Sequence, residues 1–175
     1  MPLPKLTLIL GGAASGKSAF AEALFLKGLE VTPTYIATAQ IFDNEMAEKV
    51  AKHRQMRGSG WQTVEEPLNL SAALATMKDG QPALIDCATL WLTNVILGDH
   101  DVDTESDALV AATRACKGPV VIVSNEVGQG IVPDNALSRR FRNAQGHLNQ
   151  RLAAEADLVV AVMAGLPMVL KGALP

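Results

Sequence analysis

An α/β domain, with a doubly wound and mostly parallel sheet covered by helices on both faces, is predicted by three features of the sequence. Gly11-Gly12-Ala13-Ala14-Ser15-Gly16-Lys17-Ser18 is a complete G-x-x-x-x-G-K-[ST] phosphate-binding loop, set between the apolar run at 6–10 and the helix-forming segment at 19–26. Further along, short apolar runs alternate with helical segments, the order expected of parallel strands joined by crossover helices. The composition, 49% hydrophobic but only 4% aromatic, describes a core of Ala, Val, Leu and Ile, which suits strands buried on both faces. With 175 residues and no repeat, linker or low-complexity tract, residues 1–175 read as one domain.

Taken in order, residues 6–10 form the first strand and 19–26 the first helix, whose N-terminus adds a dipole and free amides to an anion site. Gly28 closes that helix. Thr34-Tyr35-Ile36-Ala37-Thr38 is a short β-branched second strand, and the chain turns at Gln40-Ile41-Phe42. Asp43 is an N-cap for a helix over 44–56, stopped by Gly58-Ser59-Gly60. Trp61-Gln62-Thr63-Val64 makes an edge strand ending at Glu65-Glu66-Pro67, followed by a helix over 71–77. After turn chemistry at 78–82, Ala83-Leu84-Ile85-Asp86-Cys87 is an apolar strand ending in a carboxylate, in the manner of a Walker B strand. Residues 89–97 form a buried helix, 98–103 an acidic loop, and Thr104 with Asp107 a capping box for a helix reaching Cys116.

Val120-Val121-Ile122-Val123-Ser124, the most β-branched run, is the candidate central strand. Residues 127–133 are glycine-rich yet apolar, a loop that covers a site rather than merely connecting elements. A polar helix over 135–155 follows, with Gly146 as a break, and residues 158–163 are the last strand.

Composition also excludes classes. A net charge of −3 argues against a nucleic-acid surface. Cys87 and Cys116 are too few for a disulfide framework and have no zinc-ligand spacing, so they read as small buried hydrophobes in a reduced, cytoplasmic protein. No apolar run approaches the ~18 residues of a membrane span, and the first residues have no signal-peptide layout.

Chemistry concentrates at a few positions. Lys17 would reach the β/γ-phosphates and Ser18 a Mg²⁺ ion. Asp86, at a strand's carboxyl end, is either a Mg²⁺ ligand or the N-cap of the next helix. Glu126 is either a rival metal or base carboxylate or a structural acceptor for the following loop. Lys49, His53 and Arg57 fall at i, i+4 and i+8 of one predicted helix, with Arg54 beside the row. Those cations would favour a neutral imidazole, either as a nucleophile toward phosphorus or as part of a solvated basic face. His100, among Asp99, Asp101 and Asp103, reads as a solvated acidic loop rather than a metal site, and His147 as surface.

The blocks Gly11 to Ser18, Tyr35-Ile36-Ala37-Thr38, Asp43 to Met46, His53-Arg54 with Arg57 and Trp61, Ile85-Asp86-Cys87 with Trp91-Leu92-Thr93-Asn94, Ser124 to Pro133, and Gly146-His147-Leu148-Asn149-Gln150 carry a resemblance. The chain resembles the bifunctional adenosylcobinamide kinase/adenosylcobinamide-phosphate guanylyltransferase family of cobalamin biosynthesis. The resemblance implies a RecA-like P-loop NTPase fold and a homotrimer. It implies phosphorylation of adenosylcobinamide by ATP or GTP, then transfer of GMP from GTP through a guanylyl-histidine at His53. It further implies nucleotide contacts at Gly11, Gly12, Ala13, Ala14, Ser15, Gly16, Lys17 and Ser18, at Thr38, Ala39 and Gln40, at Arg54, Gln55, Met56 and Arg57, and at Glu65 and Asp86. One departure is Ala14, where the family usually has Arg. The alternatives are a P-loop small-molecule kinase without guanylyl transfer and a GTP-sensing binding module.

Overall fold

The computed structural model describes residues 2–25, 31–40 and 60–175. The expected helix over 44–56 and Gly28 lie outside the described residues, and the first helix, expected over 19–26, runs from Lys17 to Ala23 with Leu24 as its C-cap. The described strands are β1 (Leu6–Gly11), β2 (Thr34–Ala37), β3 (Gln62–Glu65), β4 (Ala83–Asp86), β5 (Val120–Asn125), β6 (Leu158–Met163) and β7 (Leu166–Lys171). They form one sheet in the order β3-β2-β4-β5-β1-β6-β7. Every neighbouring pair is parallel except β6 with β7. The carboxyl ends of β1, β2, β3, β4 and β5 therefore meet at one edge of the sheet, where α/β folds bind ligands.

The period-2 alternation of side chains divides the core into two layers. Leu8, Ile36, Ile85 and Ile122 face one side, where they pack with Trp91, Leu92, Leu109, Leu148 and Leu152. Ile9, Tyr35, Leu84, Val121, Val123 and Val160 face the other, packing with Ala21 and Phe25. Helices cover both layers. Helix α1 (Lys17–Ala23) lies on the second face. Helices α2 (Leu70–Ala75), α3 (Ala88–Leu97), α4 (Val102–Ala115) and α5 (Ala136–Glu155) supply the first. As expected, β5 is central, with β4 and β1 on its flanks.

Three expectations are corrected. Helix α4 starts two residues before Thr104: Asp101 is its N-cap and accepts the Thr104 N–H at 2.7 Å, which lowers the Asp101 pKa. Gly146 breaks nothing, because α5 runs through it without interruption. The strand at 158–163 is not the last, since β7 returns antiparallel beside it. Ala164 and Gly165 form the connecting turn with φ of 52° and 77°, the left-handed pair of a type I′ hairpin. Pro167 sits in β7 because an edge strand tolerates a missing N–H.

Candidate nucleotide site

The phosphate loop leaves β1 at Gly11 and enters α1 at Lys17. Its shape is fixed locally by the Ser15 N–H donating to Gly12 O at 3.3 Å and by Phe20 N–H donating to Gly16 O at 2.9 Å. Gly16 has φ of 91°, and a Cβ there would lie 3.2 Å from the Cα of Gly165. The hairpin turn presses in from below, with the Gly165 N–H donating to Ser15 O at 2.8 Å. No local sequence pattern signals this buttress, which comes from the turn between β6 and β7. Ala14 has φ of 55° in the exposed part of the loop, a left-handed conformation that costs Ala and an unbranched side chain such as Arg about equally, so its methyl changes the loop's chemistry rather than its backbone. The Lys17 ammonium donates to Gly12 O at 3.0 Å, folded over the loop. The buried Ser15 hydroxyl has no partner among the described residues.

Asp86 ends β4 on the same edge. Register puts Glu65 opposite Ala37, and Ala37 opposite Asp86, so the carboxylates of β3 and β4 flank the end of β2 at one level. The Tyr35 hydroxyl donates to Asp86 Oδ2 at 2.8 Å. The expected Thr38–Gln40 turn begins beside it: Thr38 N–H donates to Asp86 O at 3.3 Å, while the Thr38 hydroxyl donates to Cys87 O at 2.7 Å and accepts the Cys87 N–H at 2.8 Å. Buried Asn94 fastens this corner, donating to Thr38 O at 2.9 Å and to Pro67 O at 3.0 Å. Tyr35 and Asn94 were not singled out individually from the sequence, because their partners are 51 residues away for one and 56 and 27 for the other.

Cys87 is the buried small hydrophobe expected. Burial, reinforced by the adjacent Asp86 charge, pushes its thiol from 9.0 up to about 11. The folded state thus holds a proton that the unfolded chain loses as pH rises above 9. Stability present below pH 9 should decline toward pH 11 by about 2 to 3 kcal/mol. Urea unfolding at pH 8 and near pH 11 checks this, and Cys87→Ala should show a smaller decline than the parent.

Glu126 lies just past β5 and meets the following loop. Its N–H donates to Gly11 O at 3.1 Å and its carboxylate accepts the Gly128 N–H at 2.5 Å, closing the turn that opens the following loop. His100 is exposed beside the helix cap, and among the described residues no group of three or more His, Cys, Asp or Glu is placed to hold a metal. His147 is exposed on α5. His53, Arg54, Gln55, Met56 and Arg57 lie outside the described residues. No described helix is long and apolar enough to cross a membrane.

A mostly parallel sheet whose first strand feeds a glycine-rich phosphate loop and a helix, with a carboxylate ending another strand of the same edge, defines a P-loop NTPase of the RecA-like kind. Solved structures share that fold. Flagellar accessory protein FlaH from Methanocaldococcus jannaschii superposes with a TM-score of 0.53 at 14% identity, covering 98% of this chain and 80% of that one. A second solved structure, an ATPase domain, gives 0.52 at 14% identity, covering 90% and 69%. Within this class the chain belongs to the cobinamide kinase/cobinamide phosphate guanyltransferase family, CobU, whose model matches residues 7–170. It is 47% identical over 169 residues to the bifunctional adenosylcobalamin biosynthesis protein CobP of Pseudomonas aeruginosa, covering 94% of this chain and 96% of the relative. With its counterpart CobU of Escherichia coli K12 it shares 41% over 180 residues, covering 94% and 98%. Family membership makes this chain a bifunctional enzyme of adenosylcobalamin biosynthesis.

Proposed function

We propose that residues 1–175 act as one domain performing two successive reactions at the carboxyl edge of the sheet. In the first, the aminopropanol hydroxyl of adenosylcobinamide attacks the γ-phosphorus of ATP or GTP. A P–O bond to the substrate forms, the β–γ bridge breaks, the nucleoside diphosphate leaves with the electron pair, and the hydroxyl proton is released to solvent. In the second, the neutral imidazole of His53 attacks the α-phosphorus of GTP, releasing pyrophosphate and leaving GMP on nitrogen. A phosphate oxygen of adenosylcobinamide phosphate then displaces the imidazole, giving adenosylcobinamide-GDP and restoring His53.

The observation that supports this reading best is the convergence of the phosphate loop, Thr38, Glu65 and Asp86 on one sheet edge in a member of this family. The loop amides and Lys17 receive phosphate charge, and the Ser15 hydroxyl, which has no partner among the described residues, lies in the same loop. Thr38, Ala39, Gln40, Arg54, Gln55, Met56, Arg57, Glu65 and Asp86 complete the nucleotide contacts in this account. The Ser18 hydroxyl and the Asp86 carboxylate are hard oxygen donors that fit Mg²⁺, which binds few protein oxygens and keeps water and phosphate for the rest. When bound, Mg²⁺ would supply neutralisation of the phosphate charge at the site. Tyr35 orients the Asp86 carboxylate for that task through its 2.8 Å hydrogen bond. In this account the working molecule is a cytoplasmic homotrimer, which sedimentation of the purified protein checks.

Purified protein given cobinamide with ATP and GTP should form cobinamide phosphate, then cobinamide-GDP with pyrophosphate. Phosphorylation alone would mark a plain kinase, and nucleotide binding without turnover a sensing module. Asp86→Asn should raise the Mg²⁺ concentration needed for half-maximal rate by roughly 10-fold, the lower end for altered metal ligation. The opposite pattern, with Glu126→Gln raising the requirement and Asp86→Asn leaving it unchanged, would reverse the carboxylate assignment.

A further inference from the structure

We infer that the corrinoid substrate docks between residues 127–133 and helix α5, in a cavity of about 500 Å³. This inference rests on the family's cobinamide reading and adds the place and chemistry of the corrinoid contact. The cavity lining includes Gly128, Val132, Asn143, Gly146, His147 and Gln150. The last four fall at i, i+3, i+4 and i+7 of α5, one face of the helix.

Three observations point to this ligand. The first is position. The Glu126 N–H is bonded to Gly11 O, and Gly128 is two residues on, so the cavity wall starts within about 7 Å of chain from the phosphate-loop strand. A substrate held there can extend a hydroxyl arm toward the phosphates.

The second is an apolar surface held out to solvent. Ile131 is 97% exposed and Val132 63% exposed. The segment is nonetheless fixed: Arg142 donates to Gly128 O and to Gly130 O, and Arg139 donates to Pro133 O at 3.0 Å and Asp134 O at 2.7 Å. From below, Asn149 donates to Asn125 O at 3.1 Å and accepts the Ser124 hydroxyl at 2.6 Å. Side-chain donors thus supply the order that packing does not, and the apolar pair is presented rather than buried. A corrin has a broad apolar face that such a pair can cover.

The third is the polar floor. A corrin's rim is ringed with carboxamides, which donate and accept at once, and Asn143 and Gln150 offer the complementary amides. Gly146 lies between them, and a Cβ built on it meets nothing within 4 Å. A glycine inside a 20-residue helix weakens the helix, and here it leaves the floor open for one edge of the macrocycle.

Gly146→Phe fills that space without touching the phosphate loop, and it replaces glycine by a better helix former, so the variant should fold. The expected result is a rise of at least about tenfold in KM for cobinamide, with the KM for GTP and guanylyl labelling of the protein by GTP alone unchanged. Ile131→Ser with Val132→Ser should act in the same direction. Equilibrium dialysis of cobinamide against the parent and Gly146→Phe reads binding without turnover, so a failure of the two-step reaction scheme is distinguishable from a failure of this site. An unchanged cobinamide affinity in Gly146→Phe would overturn the inference. So would a molar mass in solution that differs between Gly146→Phe and the parent, which would make this face a contact between copies of the chain.

Discussion

Lys17→Ala is expected to lower kinase turnover by on the order of 10²- to 10³-fold, the usual loss when one preorganised electrostatic donor is removed from a transition state. The side chain is half-buried at the start of α1, and its described contact is with Gly12 O in its own loop. Its ammonium therefore contributes little to the two core layers, and the thermal midpoint should stay near that of the parent. Loss of activity together with loss of the circular dichroism signal would report unfolding instead. Unchanged turnover in a folded variant would remove Lys17 from the phosphate site.

His53→Ala should abolish guanylyl transfer, by on the order of 10⁴-fold or more, the scale for deleting an essential member of a covalent catalytic unit. Phosphorylation of cobinamide should persist, because the proposed scheme assigns that step to the loop, Lys17, Ser18 and Asp86. Product analysis with labelled GTP separates the two: cobinamide phosphate accumulates and cobinamide-GDP does not form. Loss of both products in a folded variant would mean that His53 serves a shared nucleotide site rather than the second step.

How far the sequence specified this molecule depended on whether the governing contacts were local. Strand β5 was legible because both its faces are buried, which demands the unbroken β-branched run Val120 to Val123. The loop at 11–18 was legible because its chemistry requires small residues at fixed spacing. Strand β7 was not, because its turn is Ala164-Gly165 rather than Asn-Gly, and Pro167 argues against a strand everywhere except at an edge. The cap of α4 was misread since Thr104 and Asp101 are both good capping residues three positions apart, and only the backbone decides between them. Gly146 reads as a break because glycine is a poor helix former, and the helix continues through it because tertiary packing, here the burial of Leu148 and Leu152 in the core, outweighs that propensity.

At the site, Asp86 and Glu126 looked alike in sequence, each a carboxylate at or just past a strand's end. Their partners differ: a tyrosine from β2 holds Asp86 toward the edge, while Glu126 closes its own turn onto Gly128. Tyr35, Asn94 and Gly165 matter through the strand order, which no local pattern carries.

A covalent guanylyl-histidine at His53 would show in the intact mass of the protein after incubation with GTP and Mg²⁺. The expected result is a mass increase of one guanylyl group, lost in acid and retained in base as a phosphoramidate requires, and absent from His53→Ala. An adduct that survives acid, or one that persists in His53→Ala, would contradict it.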